Sequence, residues 1–167
     1  KLDKIDGLKE GDKVSAKVDI SKRKGTTAHH TTTHLLHASL HKVIGESAKQ
    51  AGSFVAPDRF RFDFNFSRAM TVQEIEEVER SVNAFIKQGV KVEKKEMSYD
   101  KAVSQGAIAL FSEKYGDTVR VIKIGNISTE LCGGCHVDNT EEIGFFKVIK
   151  EEALQSGVRR IEGVSGE

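Results

Sequence analysis

Phe60-Arg61-Phe62-Asp63-Phe64-Asn65-Phe66 decides how this chain folds. Phenylalanine and polar residues alternate strictly. In an extended chain the four rings therefore share one face, and Arg61, Asp63 and Asn65 share the other. A strand with so apolar a face needs a cover. The flanking sequence offers two amphipathic helices. Residues 26–50 carry an apolar stripe at Leu35, Leu36, Leu40, Val43 and Ile44. A second helix is expected from Thr71 to Gln88, opened by a Thr71/Glu74 capping box and ended by Gly89. Its apolar face is Ile75, Val78, Val82, Phe85 and Ile86.

Further outward, Val90–Glu96, Val119–Ile124, Phe145–Lys150 and Val158–Val164 read as strands, with a short helix near Tyr99–Gln105. Val14, Ala16, Val18 and Ile20 alternate with polar residues, which predicts one edge strand whose partners lie upstream. The fold class expected is α+β: two main helices packed on a mostly antiparallel β-sheet. One domain junction is expected near residue 25, dividing 1–24 from 25–167.

The chain has 167 residues, 38% of them hydrophobic, so a sizeable core can be buried. Its formal net charge is only +1, which argues against a polybasic nucleic-acid binder but not against a grip confined to one end. No apolar run approaches the ~20 residues of a membrane span. No signal peptide is visible. The two cysteines, Cys132 and Cys135, are too close in sequence to staple such a domain. They point to metal or redox chemistry in a reducing compartment, hence the cytoplasm. The opening Lys1, amid polar sequence, suggests a piece of something longer.

Two segments carry the chemistry. In His30-Thr-Thr-Thr-His34 the imidazoles lie at i and i+4 on the expected helix, one above the other, as in a metal chelate. The metalloprotease motif has the same spacing, but its glutamate base is missing here. His37 and His41 continue that face and could line a pocket or be exposed; His29 points about 100° away from His30. None of these three is assigned as a ligand. In Cys132-Gly-Gly-Cys-His136 the paired glycines favour a tight loop, which can turn Cys132 and His136 toward one point. A thiolate with three imidazoles is a zinc-type donor set. Cys135 stays open, as a competing ligand or a packing residue. The bland alternatives are a solvated histidine face and an unrelated loop.

The wording of these segments resembles the editing domain of alanyl-tRNA synthetases, of the threonyl/alanyl-tRNA synthetase second additional domain family. His30-Thr-Thr-Thr-His34-Leu-Leu-His-Ala38 and Glu130-Leu-Cys-Gly-Gly-Cys-His-Val137 carry the likeness. Gln50-Ala-Gly-Ser53, Arg61-Phe-Asp-Phe64, Glu113-Lys-Tyr-Gly-Asp117 and Gly157-Val-Arg-Arg-Ile-Glu162 extend it over residues 8–165. Two departures stand out: Cys135 replaces the usual Thr, and Glu141 the usual Gly. The threonyl-type editing domain shares the histidine and cysteine spacing but carries a different loop.

The resemblance implies Zn2+ held by His30, His34, Cys132 and His136, and an editing pocket containing Thr33 and Gln50. It implies a hydrolase that removes serine or glycine from the 3′ end of alanine tRNA. Residues 1–24 would be the tail end of an upstream β-barrel, and ATP binding would belong to the rest of the parent synthetase. Arg59, Arg61, Arg159 and Arg160 are candidates for tRNA phosphates; Arg61 could instead pair with a carboxylate across the strand face. Four protein ligands describe a closed zinc, whereas catalytic zinc keeps an open position, which favours a zinc that orients the substrate. Two other readings are a zinc-stabilised tRNA-docking module without turnover and a redox pair at Cys132 and Cys135.

Overall fold

A computed structural model of the chain describes residues 7, 9–109 and 116–166. The phenylalanine repeat forms β2 (Phe60–Asn65), paired on one side with β1 (Gln50–Val55) and on the other with β7 (Val158–Gly166), which in turn pairs with β6 (Phe145–Gln155). Phe60, Phe62 and Phe64 are fully buried, as the alternation requires. Asp63, on the opposite face, is also buried, because Arg160 across the β2–β7 pair grips it with two hydrogen bonds (2.7 and 2.9 Å). A second, three-stranded sheet contains β3 (Val92–Ser98), β4 (Thr118–Ile124) and β5 (Ser128–Leu131). All named strand pairs are antiparallel.

The α+β class therefore holds, with helices packed on antiparallel sheets, although the strands divide into two sheets. Helix α2 (Val72–Lys87) has the expected capping box: Glu74 N–H donates to Thr71 Oγ1 (3.1 Å), and Thr71 N–H to Glu74 Oε2 (2.8 Å). Val78, Val82 and Ile86 are buried, with Ile75 and Phe85 packed beside them. A short helix, α3, spans Tyr99–Ser104.

Helix α1 (Ile20–Ile44) positions the site. Leu35, Leu36 and Leu40 are fully buried, but so are Thr31, Thr32 and Ser39. The helix is enclosed on three sides, and each contact is pinned by a hydrogen bond. His29 Nδ1 donates to Ala56 O in the β1–β2 turn (2.9 Å), Ser39 donates to Ser81 of α2 (3.1 Å), and His37 Nδ1 to Glu130 of β5 (3.3 Å). Buried threonines are tolerated because their hydroxyls donate back to the helix carbonyls, Thr32 to Ala28 O for example (2.9 Å). At Gly25 a Cβ would lie 2.3 Å from Pro57 O, so the β1–β2 turn rests against bare helix backbone.

Two expectations are corrected. The first helix runs from 20 to 44, not from 26 to 50: Asp19 caps its start by accepting from Lys22 N–H (3.1 Å), and Gly45 ends it with φ 98°. Gln50 accordingly starts β1. The edge strand at Val14–Ile20 does not form; residues 12–19 have no regular structure, and Val14, Val18 and Ile20 are exposed. Alternation alone cannot make a strand without a neighbour to receive its backbone hydrogen bonds. The junction expected near residue 25 falls inside α1. Residues 113–115 of the Glu113–Asp117 segment lie outside the described residues.

Candidate metal centre

His30 and His34 stand on consecutive turns of α1. Cys132 follows β5, and His136 lies at the far end of the Gly133-Gly134 loop. Their donor atoms all lie within 4.8 Å of one another. Cys132 Sγ is 3.3 Å from both His30 Nε2 and His136 Nε2. Among the described residues this is the one group of three or more such side chains that could hold a metal ion. The sequence pattern expected these four, and the fold brings them together.

The surrounding hydrogen bonds set the tautomers. Thr31 Oγ1 donates to Thr27 O (3.0 Å), which leaves its lone pairs to accept from Val137 N–H (3.1 Å) and His136 Nδ1–H (3.3 Å). His136 is thus protonated at Nδ1, with its Nε2 lone pair toward the cluster. His34 Nδ1 donates to Glu130 Oε2 (2.7 Å), and its Nε2 is buried with no partner in the protein. An orphaned buried imidazole nitrogen backed by a carboxylate is the arrangement of metal-binding histidines.

Electrostatics agree. Burial opposes ionisation of the Cys132 thiol, but hydrogen bonds with His136 and His30 and the nearby His34 imidazole outweigh it and bring its pKa to about 3. Burial pushes His136 down to about 4, which keeps it a neutral ligand. For His34, burial is outweighed by the charge of Glu130, the nearby Cys132 sulfur and the bond to Glu130, which raise its pKa to about 10. A proton and a divalent cation compete for the same His34 Nε2, so metal binding would release that proton. Glu130 is shifted the opposite way: burial opposes its charge, but His34 and His37 hold it well below the usual carboxylate range.

Sequence reasoning missed the parts that hold this cluster. Glu130 Oε1 also accepts from His37 Nδ1 (3.3 Å) and Ser128 Oγ (2.7 Å), so one buried carboxylate serves three donors. Its position two residues before Cys132 was the available clue. Arg120 donates to the carbonyls of Gly133 (3.2 Å) and Gly134 (2.7 Å), and Lys94 to that of His136 (2.8 Å). No local signal marked either cation. At Gly134 a Cβ would lie 1.8 Å from His30 Cε1, so the loop must present bare backbone there.

A cleft of about 440 Å³ opens beside the donors, lined by His30, His34 and Cys132 together with Thr33, Gln50 and Ser53. Thr33 Oγ1 donates to His30 O (2.7 Å), so toward the cleft it can only accept. Gln50 Nε2 donates to Ser53 Oγ (3.3 Å). Cys135 lines the same cleft, and both cysteines are free thiols.

The arginines lie elsewhere. Arg159 is clasped by Glu151 through two hydrogen bonds (2.6 and 2.8 Å), and Arg160 by Asp63. Arg59 pairs with Asp58 (2.9 Å) and Glu162 (3.5 Å). The Arg61 guanidinium carbon lies 4.8 Å from the centre of the Phe54 ring. Among the described residues, no helix is long and apolar enough to cross a membrane.

Comparison with known proteins adds the lineage. Residues 119–162 match the family model described as the threonyl and alanyl tRNA synthetase second additional domain. The chain is 54% identical over 159 residues to the alanine–tRNA ligase of Thermotoga petrophila, covering 95% of this chain and 18% of the relative. It is 51% identical over 159 residues to that of Thermosynechococcus vestitus, again covering 95% and 18%. With Thermoanaerobacter sp. the identity is 50% over 155 residues, covering 93% and 18%. The chain thus spans about a fifth of the length of these relatives.

Proposed function

Because this chain belongs to the threonyl and alanyl tRNA synthetase second additional domain family and derives from the alanine–tRNA ligase lineage, we propose that it is an editing deacylase. It hydrolyses the ester between serine or glycine and the 3′-terminal adenosine of alanine tRNA, as part of a larger cytoplasmic synthetase. The observation that carries this reading is the juxtaposition of the His30/His34/Cys132/His136 donor set with the cleft that Thr33 and Gln50 line.

The donors fit Zn2+: one thiolate, three imidazoles, of which His34 would give up its Nε2 proton as the metal binds, and a carboxylate behind His34. Zinc bound there supplies positive charge that orients the aminoacyl group and polarises its carbonyl. Gln50, anchored on Ser53, places its carbonyl toward the α-ammonium group of the substrate. Thr33, whose own proton is spent on His30 O, accepts from the hydroxyl of serine. Alanine has no donor to offer and leaves that acceptor unpaired, at roughly 1–3 kcal/mol; glycine has none either, so this contact accounts for the preference for serine alone. A synthetic pocket selects poorly against a substrate that differs by a hydroxyl, which is why a second hydrolytic site is useful. The role of Arg61 in gripping tRNA phosphate fits its guanidinium being held by a ring, whereas Arg159 and Arg160 already serve carboxylates.

The test is deacylation of Ser-tRNA(Ala) and Ala-tRNA(Ala), beside zinc analysis of wild type and Cys132→Ala. Faster hydrolysis of the seryl ester, lost with the metal in Cys132→Ala, supports the reading. Thr33→Val should narrow the Ser-over-Ala preference by about 5- to 150-fold; an unchanged preference removes Thr33 from this role. A donor set of four protein side chains also suits a closed, structural zinc, so bound zinc with no turnover even in the full-length parent would favour a docking module.

A further inference from the structure

The backbone carbonyls of the loop between Cys132 and His136 are held by two cations. Arg120 takes the carbonyls of Gly133 and Gly134, and Lys94 that of His136. In a trans peptide, C=O and the following N–H point in opposite directions, and no cis peptide occurs among the described residues. The N–H groups of Gly134 and Cys135 therefore point away from Arg120, and that of Val137 away from Lys94. Val137 N–H finds Thr31 Oγ1 (3.1 Å). The other two have no hydrogen-bond partner among the described residues. Gly133, Gly134 and Cys135 line the cleft, and Arg120 does not.

Two successive, unpartnered amides on the side of the loop away from Arg120 leave two donors for an anion. We propose that the N–H groups of Gly134 and Cys135 form an oxyanion hole for the tetrahedral intermediate of ester hydrolysis, with Arg120 as its positioning residue. This rests on the deacylase reading above. Water adds through oxygen to the ester carbon, and the carbonyl π pair moves to the carbonyl oxygen, where the two amides receive it. Collapse returns that pair and breaks the bond to the ribose oxygen, which takes up the proton that the water gave. The amides are fixed before reaction, so no reorganisation accompanies the developing charge. Arg120, on the carbonyl side of both peptide units, polarises them and strengthens both donors. The absence of a Cβ at Gly134, enforced by the His30 ring, keeps this wall of the cleft bare backbone.

Proline at 135 deletes one donor, whereas alanine keeps it. The experiment compares wild type, Cys135→Ala, Cys135→Pro, Arg120→Met and Arg120→Lys in Ser-tRNA(Ala) deacylation, with zinc content measured on each. It also measures binding of two seryl-adenosine analogues, a planar 3′-amide and a tetrahedral, anionic phosphonate. Cys135→Pro should lower kcat by about 10²–10³-fold with little change in KM. It should weaken the phosphonate in proportion and leave the amide unchanged. Cys135→Ala, which keeps the amide, should retain far more kcat than Cys135→Pro, Arg120→Met should lose kcat and phosphonate affinity together, and Arg120→Lys should recover part of both. If Cys135→Pro loses zinc or fails to fold, Arg120→Met decides. Variants that keep kcat and phosphonate affinity within about threefold of wild type would overturn the oxyanion hole alone. A wild type that hydrolyses no seryl ester would overturn the deacylase reading and the hole with it.

Discussion

Replacing Glu130 by Gln tests whether the buried carboxylate, and not the four donors alone, sets the metal affinity. Glu130 Oε2 accepts from His34 Nδ1 at 2.7 Å, while Oε1 accepts from His37 and Ser128. Glutamine has one acceptor oxygen. If that oxygen keeps His34, the new NH2 faces His37 Nδ1 and the Ser128 hydroxyl, both of which can turn to accept: the hydroxyl by rotation, the imidazole by changing tautomer. The shape survives and the charge is lost. A hydrogen bond to a charged group contributes about 1.5–3 kcal/mol and a neutral one about 0.5–1.5, so the difference is about 1–1.5 kcal/mol, or roughly tenfold in affinity. Loss of basicity at His34 adds to this, within the 10–100-fold range typical of residues behind a metal ligand. Competition for zinc against a chromophoric chelator, at fixed pH, reads the ratio directly. Glu130→Ala should be worse, since it strands three buried donors and lowers folding stability as well. Zinc affinity in Glu130→Gln within about twofold of wild type would refute the argument that Glu130 orients and charges His34.

Gly134→Ala should weaken zinc by roughly 10–100-fold in the same competition assay, because the new Cβ would lie 1.8 Å from His30 Cε1 and must displace that ring; unchanged affinity would mean that the loop relaxes freely. Phe62→Ala should cost about 3–5 kcal/mol in denaturant unfolding, since the ring is fully buried at the centre of the larger sheet. Thr71→Ala should cost about 1 kcal/mol by removing the N-cap of α2. Glu74 is held down to about 2, chiefly by its bond to Arg68 and then by the Thr71 backbone. A depressed carboxylate stabilises the fold above its unfolded pKa, near 4.5, and loses that contribution as pH falls through about 2. Wild type should therefore exceed Glu74→Gln in stability at neutral pH, and the gap should close between about 4.5 and about 2 in pH-dependent thermal unfolding.

Much of the fold was legible because its elements carry local signals. The Phe60–Phe66 alternation, the Thr71/Glu74 box and the apolar stripe of α2 each depend on neighbours within one turn or one pleat, and each formed where expected. The misreadings came where local pattern met a distant condition. Val14–Ile20 had the period of a strand, but among the described residues no strand pairs with it. Helix α1 ends at Gly45, where the backbone turns to φ 98°, although helix-compatible residues continue beyond. The second sheet was missed as a separate layer because β5 is only four residues long.

The same division governs the site. The sequence by itself determined which side chains could gather: i, i+4 spacing on a helix aligns His30 with His34, and Cys132 and His136 flank two glycines in one short loop. These are short-range constraints of backbone geometry. Only the tertiary structure decided what surrounds them. Thr31 fixes the tautomer of His136 from another element, Glu130 reaches His34 and His37 from β5, and Arg120 from β4 holds the carbonyls of Gly133 and Gly134. Such contacts join residues far apart in sequence. Their energies come from burial and hydrogen-bond direction, which no periodicity encodes.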